Sequence, residues 1–153
     1  MIKLFFLLVF FIPLIGSLSV LSANAQQKAT QEIHFSKKPY AEVIAAARAT
    51  HKKVFVDAFA IWCVPCKELR KRTFTDPKAA NYFNKHFINI SVDVEKGEGV
   101  DLARTWQVEG LPTLLIVDGN GQVLANHTGF VDPDGLLAFA KEASGNVQKA
   151  NYH

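Results

Sequence analysis

Two cysteines stand at residues 63 and 66, within the run Trp-Cys-Val-Pro-Cys-Lys, and the 153-residue chain contains no others. On a helix, side chains at this spacing lie one turn apart on the same face, roughly 5–6 Å from each other. That separation lies within the range that a disulfide tolerates. A loop this short constrains the unfolded chain less than the long loops that structural disulfides close. The spacing therefore favours a redox pair that alternates between dithiol and disulfide.

The two cysteines are expected to differ in role because a helix should open at the first of them. Unpaired backbone N–H groups and the helix dipole favour an anion at a helix N-terminus. Since the thiolate is the reactive form, we assign Cys63 as the nucleophile. Cys66, one turn inside, is expected to be less exposed and to resolve the mixed disulfide. Pro65 fits the first turn, where its missing N–H is not needed.

A metal half-site or a pair of inert thiols is the alternative interpretation of the same spacing. Structural zinc sites need four ligands, and the sequence contains no second C-x-x-C. The five histidines, at positions 34, 51, 86, 127 and 153, have no ligand spacing. We therefore predict no metal and no cofactor other than the redox-active Cys63–Cys66 disulfide.

Asp57 interrupts an otherwise apolar run, 54–60, six residues before Cys63. A continuous apolar run of this length predicts a central strand that is buried on both faces. A buried carboxylate is costly unless it has a partner or a purpose, and burial raises its pKa toward the range of a proton carrier. We favour this catalytic interpretation. A structural aspartate that bonds to the backbone at the strand end is the alternative.

The N-terminal segment has the order of a secretory signal peptide. Lys3 precedes an apolar stretch over 4–15, small and polar residues follow, and Ala23-Asn24-Ala25 matches an A-x-A cleavage site. We predict cleavage after Ala25, which makes 1–25 a signal peptide and the protein exported. A retained membrane anchor is the alternative, since the apolar stretch is nearly long enough to span a bilayer.

The remainder, 26–153, has a length that suits one domain with one hydrophobic core. The whole chain is 49% hydrophobic and carries a net charge of only +3. Neither value is typical of a nucleic-acid-binding protein, which concentrates basic residues on one face. We expect a monomer that does not bind nucleic acid.

The order of predicted elements is β-α-β-α-β-α-β-β-α. Strands are predicted at 33–35, 54–60, 88–94, 111–117 and 122–128, with an Asp-Gly-Asn-Gly hairpin turn at 118–121. Helices are predicted at 39–50, 63–74, 77–86, 100–106 and 132–143. This order predicts an α/β fold, a three-layer sandwich with a mixed sheet of about four to five strands flanked by helices.

Together these residues resemble the thioredoxin superfamily. The resemblance rests on the cysteine run at 62–67, on Asp57, on Gly-Leu-Pro-Thr at 110–113 and on Gly129 after the hairpin. Thr-Phe-Thr-Asp-Pro at 73–77 and Thr-Gly-Phe at 128–130 look most like the C-terminal periplasmic domain of the DsbD thiol carriers and like stand-alone exported thioredoxin-like proteins.

The resemblance implies a thioredoxin-like fold and places Pro112, in a cis peptide bond, beside the cysteine pair. It also implies that the backbone of Leu111 offers hydrogen bonds to an extended substrate, close to Gly129. An apolar rim around Cys63 is expected to dock protein segments, and packing inside the protein is the alternative for Phe130. The predicted rim residues are Trp62, Val64, Pro65, Leu111 and Phe130.

Three features depart from the family pattern or add to it. Ile61 stands where related reducing domains often have an acidic residue. Asn89 is expected at the place where thioredoxins often have a lysine near the buried aspartate. A basic run over 67–72 is interpreted as a solvated helix face.

From these residues we predict an exported, periplasmic thiol–disulfide oxidoreductase that reduces protein disulfides. Its partners are expected to be protein thiols and disulfides and a membrane or soluble electron donor. A disulfide oxidase or isomerase is the alternative within the enzyme class. A redox-inactive or metal-delivering binding module on the same fold is the alternative outside it.

Overall fold

The computed structural model describes residues 32–145, so the predicted signal peptide and its cleavage site lie outside the described residues. The strands are β1 (Phe35–Ser36), β2 (Lys53–Phe59), β3 (Phe87–Asp93), β4 (Thr113–Val117) and β5 (Val123–Thr128). The helices are α1 (Tyr40–Thr50), α2 (Val64–Glu68), α3 (Pro77–His86), α4 (Gly99–Thr105) and α5 (Pro133–Ala143). A π-helical turn, Leu69–Thr73, follows α2 directly.

The five strands form one mixed sheet in the order β1-β3-β2-β4-β5. Strands β1 and β2 both run parallel to β3. Strand β4 is antiparallel to β2, and β5 is antiparallel to β4. The central position of β2 explains its continuous apolar sequence, because both of its faces are covered. The predicted α/β sandwich with a mixed sheet is confirmed.

The two faces of the sheet carry separate hydrophobic cores. Val54 and Val56 belong to the core that α1 and α4 cover. Phe55 belongs to the opposite core, where it meets Phe83 of α3 with 4.5 Å between ring centroids. Because side chains alternate along a strand, Asp57 shares the face of Phe55. That face is the one on which the helix bearing the cysteines packs.

Short polar side chains fix the starts of two helices, as their positions in the sequence predict. Asp76 caps α3, where its Oδ1 accepts hydrogen bonds from the backbone N–H groups of Lys78 and Ala79, each at 2.9 Å. Asp132 caps α5 by accepting from the N–H of Gly135 at 2.8 Å. In both helices a proline occupies the first turn, where its missing donor costs nothing.

The predicted hairpin at 118–121 joins β4 to β5. Asp118 Oδ1 accepts from the N–H groups of Asn120 and Gln122, and Gly121 adopts a φ of 87°. The register of the hairpin sets Thr113 opposite Thr128. It thereby brings the chain after β5 beside the chain before β4.

Three predicted elements differ from the structure by more than a shift of one residue. The strand predicted at 111–117 begins only at Thr113. The first strand is predicted at 33–35 but lies at Phe35–Ser36, and the helix predicted over 63–74 changes its hydrogen bonding after Glu68. In the part of the chain that the structure describes, no helix combines the length and the apolar character needed to cross a bilayer.

Candidate active site

Cys63 and Cys66 form a disulfide across the start of α2, with their Cα atoms 5.3 Å apart. Cys63 is the N-cap residue of the helix, and its Sγ accepts a hydrogen bond from the backbone N–H of Cys66 at 3.2 Å. A helix start with free N–H groups stabilises negative charge. The sulfur that these groups face is therefore that of Cys63.

The prediction that Cys66 is less exposed than Cys63 is wrong for the disulfide form, because both residues are only 2% exposed. Both belong to a small cluster with Ala60, against which Phe59 and Leu111 pack. These apolar neighbours cover the first cysteine as well as the second. The chemical distinction between the two sulfurs thus comes from the helix start and not from exposure.

The helix that carries the cysteines continues as a π-helical turn, and the N–H of Phe74 bonds to the carbonyl of Leu69 at 2.9 Å. The prediction of one regular helix is wrong here. The wider turn buries both Leu69 and Thr73. Thr73 Oγ1 donates to the carbonyl of Val131 at 2.7 Å, which ties the active-site helix to the loop before α5.

The Leu111–Pro112 peptide bond is cis, as the resemblance implies. Leu111 packs against the cysteine cluster, and Pro112 is buried. The N–H of Gly129 donates to the carbonyl of Pro112 at 2.8 Å. Gly129 has a φ of 105°, a conformation that a residue with a side chain rarely adopts. The chain segments before β4 and after β5 therefore meet beside the disulfide.

Exposed apolar side chains lie next to the cysteines in the sequence and on the segment that follows β5. Trp62 and Val64 are 62% and 67% exposed, and Phe130 is 42% exposed. Pro65 is also exposed, and Leu111 is half-buried. Large exposed apolar groups that lie together mark interaction surfaces more often than ordinary packing. The exposure of Phe130 disagrees with the alternative that it packs inside the protein.

The orientation of Trp62 is set by a loop on the other side of the cysteine pair. Its Nε1 donates to Oε1 of Glu95 at 2.9 Å. Glu95 follows β3, and the N–H of the preceding Val94 bonds to the carbonyl of Phe59. The chain after β3 therefore fixes the indole of Trp62, the residue that precedes Cys63. Ile61, which departs from the family pattern, precedes Trp62, and its side chain is 58% exposed.

Asp57 is completely buried in β2. Its Oδ2 accepts from Ser91 Oγ at 2.8 Å and from Arg70 Nη2 at 3.2 Å. Burial raises the pKa of Asp57 above its ordinary value of 3.8, while the hydrogen bond from Ser91 and the charge of Arg70 act in the opposite direction. A buried carboxyl with a raised pKa, on the face that the cysteine helix covers, is typical of a functional site.

The predicted place of Asn89 beside the buried aspartate is wrong. Asn89 stands opposite Phe55 in the sheet, and its Nδ2 donates to the carbonyl of His34 at 3.2 Å. Ser91, two residues later, is the register partner of Asp57. The strand register, which the sequence does not state, decides between the two positions.

The interpretation of the basic run over 67–72 as a solvated helix face is wrong for one residue, Arg70. Lys67, Lys71 and Arg72 are exposed, but the guanidinium of Arg70 reaches inward to Asp57. Arg70 follows Cys66 by four residues, so a helical wheel places both on nearly the same face. That spacing is the signal that could have identified Arg70.

Among residues 32–145, no group of three or more His, Cys, Asp and Glu side chains is placed to hold a metal ion. What the structure brings together is a disulfide at a helix start, a cis-proline beside it and a buried carboxyl beneath the helix. On a mixed five-stranded α/β sheet, these features define the class of thioredoxin-fold proteins with a redox-active disulfide.

Comparison with known proteins identifies the family. A model of the thioredoxin-like domain matches residues 40–144, and the chain belongs to the thioredoxin-like family. Its curated relatives include the thiol:disulfide interchange protein DsbD of Vibrio vulnificus, 35% identical over 129 residues, which are 79% of this chain and 22% of that protein. DsbD of Salmonella typhi is 40% identical over 91 residues, 58% of this chain and 16% of that protein. The chain thus spans about a fifth of the length of these relatives.

Solved structures agree with this family. A Bacteroides thetaiotaomicron protein, provisionally named a disulphide-isomerase, is 38% identical with a TM-score of 0.69, covering 78% of this chain and 98% of that one. The C-terminal domain of Neisseria meningitidis DsbD, 23% identical, shares the fold with a TM-score of 0.59 over 72% of this chain and 98% of that one. The thioredoxin-like family and the Cys63–Cys66 disulfide together identify the chemistry as that of a thiol–disulfide oxidoreductase.

Proposed function

We propose that this protein is an exported reductase of protein disulfides. The observation that carries the proposal is the disulfide itself, in which the Cys63 sulfur accepts the N–H of Cys66 at the helix start. A sulfur held in this way leaves readily as a thiolate and attacks readily as one. Cys63 is therefore the attacking group and Cys66 the resolving group.

The exchange proceeds in two displacements. The Cys63 thiolate attacks one sulfur of a substrate disulfide, which forms a bond between Cys63 and the substrate and releases the other substrate sulfur as a thiolate. Asp57 then takes the proton of Cys66, and the Cys66 thiolate attacks the sulfur of Cys63. The Cys63–Cys66 bond forms, the second substrate thiolate leaves, and two electrons have passed from the protein to the substrate.

The substrate site is the exposed surface beside the disulfide. The backbone at Leu111 binds an extended substrate segment, because the packing of Leu111 and the hydrogen bond from Gly129 to Pro112 hold that stretch of chain beside the cysteines. The exposed side chains of Trp62 and Phe130 supply an apolar docking area that selects neither a charged group nor a nucleobase. Such a surface suits unfolded or extended protein segments better than one small molecule.

The reducing direction is proposed from the resemblance to the reducing domains of the DsbD type, and another protein is proposed to supply the electrons. An isomerase is the second candidate, because the Bacteroides relative at 38% identity has that provisional name. The two candidates differ in reduction potential, which spans roughly −270 to −120 mV among related C-x-x-C proteins.

Reduction of insulin disulfides in the presence of dithiothreitol tests the activity. The wild-type protein is expected to accelerate insulin precipitation, and the Cys63→Ser variant is expected to have no effect above the dithiothreitol control. A redox-inactive binding module would give no acceleration with either protein. Equilibration with glutathione then measures the potential, and a value near −120 mV would contradict the reducing direction.

Export to the periplasm is proposed from the order of the N-terminal residues, with cleavage after Ala25. The intact mass of the protein purified from cells that express the full chain tests it. A mature protein that begins at Gln26 in the periplasmic fraction is expected. A full-length protein that stays with the membranes would favour the retained anchor. Size-exclusion chromatography of the same sample tests the expected monomer.

A further inference from the structure

The carboxyl group of Asp57 has unequal surroundings at its two oxygens. Oδ2 accepts from both Ser91 and Arg70, while Oδ1 has no hydrogen-bond partner among the described residues. An ionised carboxylate in a protein interior is costly unless donors or charges hold it. Arg70 supplies the charge, and Ser91 supplies the shorter hydrogen bond.

Arg70 also contacts the apolar group that supports the disulfide. Its guanidinium carbon lies 3.7 Å from the centroid of the Phe59 ring, a cation–π arrangement. Phe59 in turn packs against the cluster that contains Cys63 and Cys66. One side chain from the π-helical turn thus links the buried carboxyl to the surroundings of the disulfide.

The same two donors connect Asp57 to solvent. Arg70 Nη2 donates to Ser91 Oγ at 2.6 Å, and Ser91 Oγ donates to Asp57. Arg70, with a side chain that is 43% exposed, and Ser91 both line a cleft of about 560 Å³. The other titratable or charged groups that line this cleft are Glu32, His34 and Lys37. On β4, the register partner of Asp57 is the apolar Leu114.

We propose that Arg70 is a positioning residue of the exchange reaction, which keeps Asp57 ready to accept the proton of Cys66 and aligns Ser91 to pass that proton to the cleft. This inference rests on the proposed function. In the resolving step the proton moves from the Cys66 thiol to the Asp57 carboxylate. The Cys66–Cys63 bond forms as the bond from Cys63 to the substrate breaks. The carboxyl then returns its proton through the Ser91 hydroxyl to water in the cleft.

A chromogenic disulfide separates the two displacements. When the fully reduced protein is mixed with dithiobis-nitrobenzoate, attack by Cys63 releases one coloured thiolate and resolution by Cys66 releases a second. Stopped-flow absorbance over a pH series gives a rate for each phase. The variants are Arg70→Gln, which removes the charge, and Arg70→Lys, which keeps it. Lys71→Gln is the matched control, because it removes a positive charge from the same turn at an exposed position.

The Arg70→Gln variant is expected to move the pH midpoint of the second phase upward by about one pH unit, the lower end of the effect of an arginine beside an aspartate. Below that midpoint, the second phase slows about tenfold. The first phase changes no more than it does in Lys71→Gln, and Arg70→Lys restores most of the second-phase rate. In an Asp57→Asn background, adding Arg70→Gln causes no further slowing, because the two changes affect one step.

An unchanged second-phase midpoint in Arg70→Gln would overturn the role of Arg70. Equal slowing by Arg70→Gln with and without Asp57 would also overturn it, since Arg70 would then act by another route. If the wild-type protein releases no second thiolate, the proposed function fails and the inference fails with it. If the wild-type protein releases both thiolates and the pH profile of the second phase is the same in Arg70→Gln, only the inference about Arg70 is rejected.

Discussion

Reduction of the Cys63–Cys66 disulfide should destabilise the folded protein, and the size of the effect follows from the structure. The disulfide joins residues three positions apart. In the chain-entropy treatment, closing so short a loop restricts the unfolded chain by about 2 kcal/mol at 25 °C. The folded backbone already holds the two Cα atoms 5.3 Å apart, within the ordinary range for a disulfide. The oxidised folded form therefore gains most of this stabilisation.

A second effect acts in the opposite direction. In the reduced protein, the helix start stabilises a Cys63 thiolate through the N–H of Cys66, and a charge at such a position contributes about 0.3–1 kcal/mol. Because the loop effect is larger, the oxidised form should remain more stable by about 1 kcal/mol. A more stable oxidised form is the property of a reductant, which gives up its electrons readily.

Urea unfolding of the oxidised and reduced proteins at the same pH measures this difference directly. The Cys63→Ser/Cys66→Ser double variant is the control, since its unfolding free energy should not respond to the reductant. A reduced form that is more stable than the oxidised form would contradict this prediction. That result is expected of a strong oxidant, whose reduced state is the stabilised one.

Three further substitutions test separate parts of the site. Thr73→Val should lower the free energy of unfolding by about 1–3 kcal/mol in urea titrations, because the hydrogen bond from the buried Thr73 to the carbonyl of Val131 is lost; a loss no greater than that of the exposed Thr75→Val control would contradict this. Asp57→Asn should slow exchange about 10²-fold at pH 7. Because burial raises the pKa of Asp57, the folded state binds this proton more tightly than the unfolded chain, so the stability contributed by the carboxyl falls as pH rises above 3.8. Thermal melts should therefore show that Asp57→Asn raises the stability of the protein more at pH 8 than at pH 4. A larger gain at pH 4 would contradict the direction of the pKa shift. Trp62→Ala should raise KM for insulin about tenfold while exchange with a small disulfide stays unchanged, and an equal loss on both substrates would exclude a docking role.

The features that the sequence predicts well are those that depend on local spacing. The Cys63–Cys66 separation and the hairpin turn at 118–121 each need only a few neighbouring residues to form. The central strand is predictable because burial on both faces requires an apolar run. The cis bond before Pro112 came from the family resemblance, which local patterns alone would not have supplied.

The features that the sequence misses depend on long-range register or on backbone detail. Ser91 and Asn89 are equally plausible neighbours of Asp57 until the pairing of β2 with β3 is known. The π-helical turn adds no distinctive residue to the sequence. Arg70 looks like one member of an exposed basic run. Its four-residue spacing from Cys66 is the sequence signal for its inward position, and the packing of that turn brings it to Asp57.

Trapping of a mixed disulfide shows which of the two cysteines attacks the substrate. The reduced Cys66→Ser variant, mixed with a disulfide-bonded protein substrate, should form a covalent adduct because the resolving thiol is absent. Peptide mapping by mass spectrometry should find the substrate attached at Cys63. The Cys63→Ser variant, tested in parallel, should form little adduct. Rapid adduct formation at Cys66 in the Cys63→Ser variant, together with no adduct at Cys63 in the Cys66→Ser variant, would contradict the assignment.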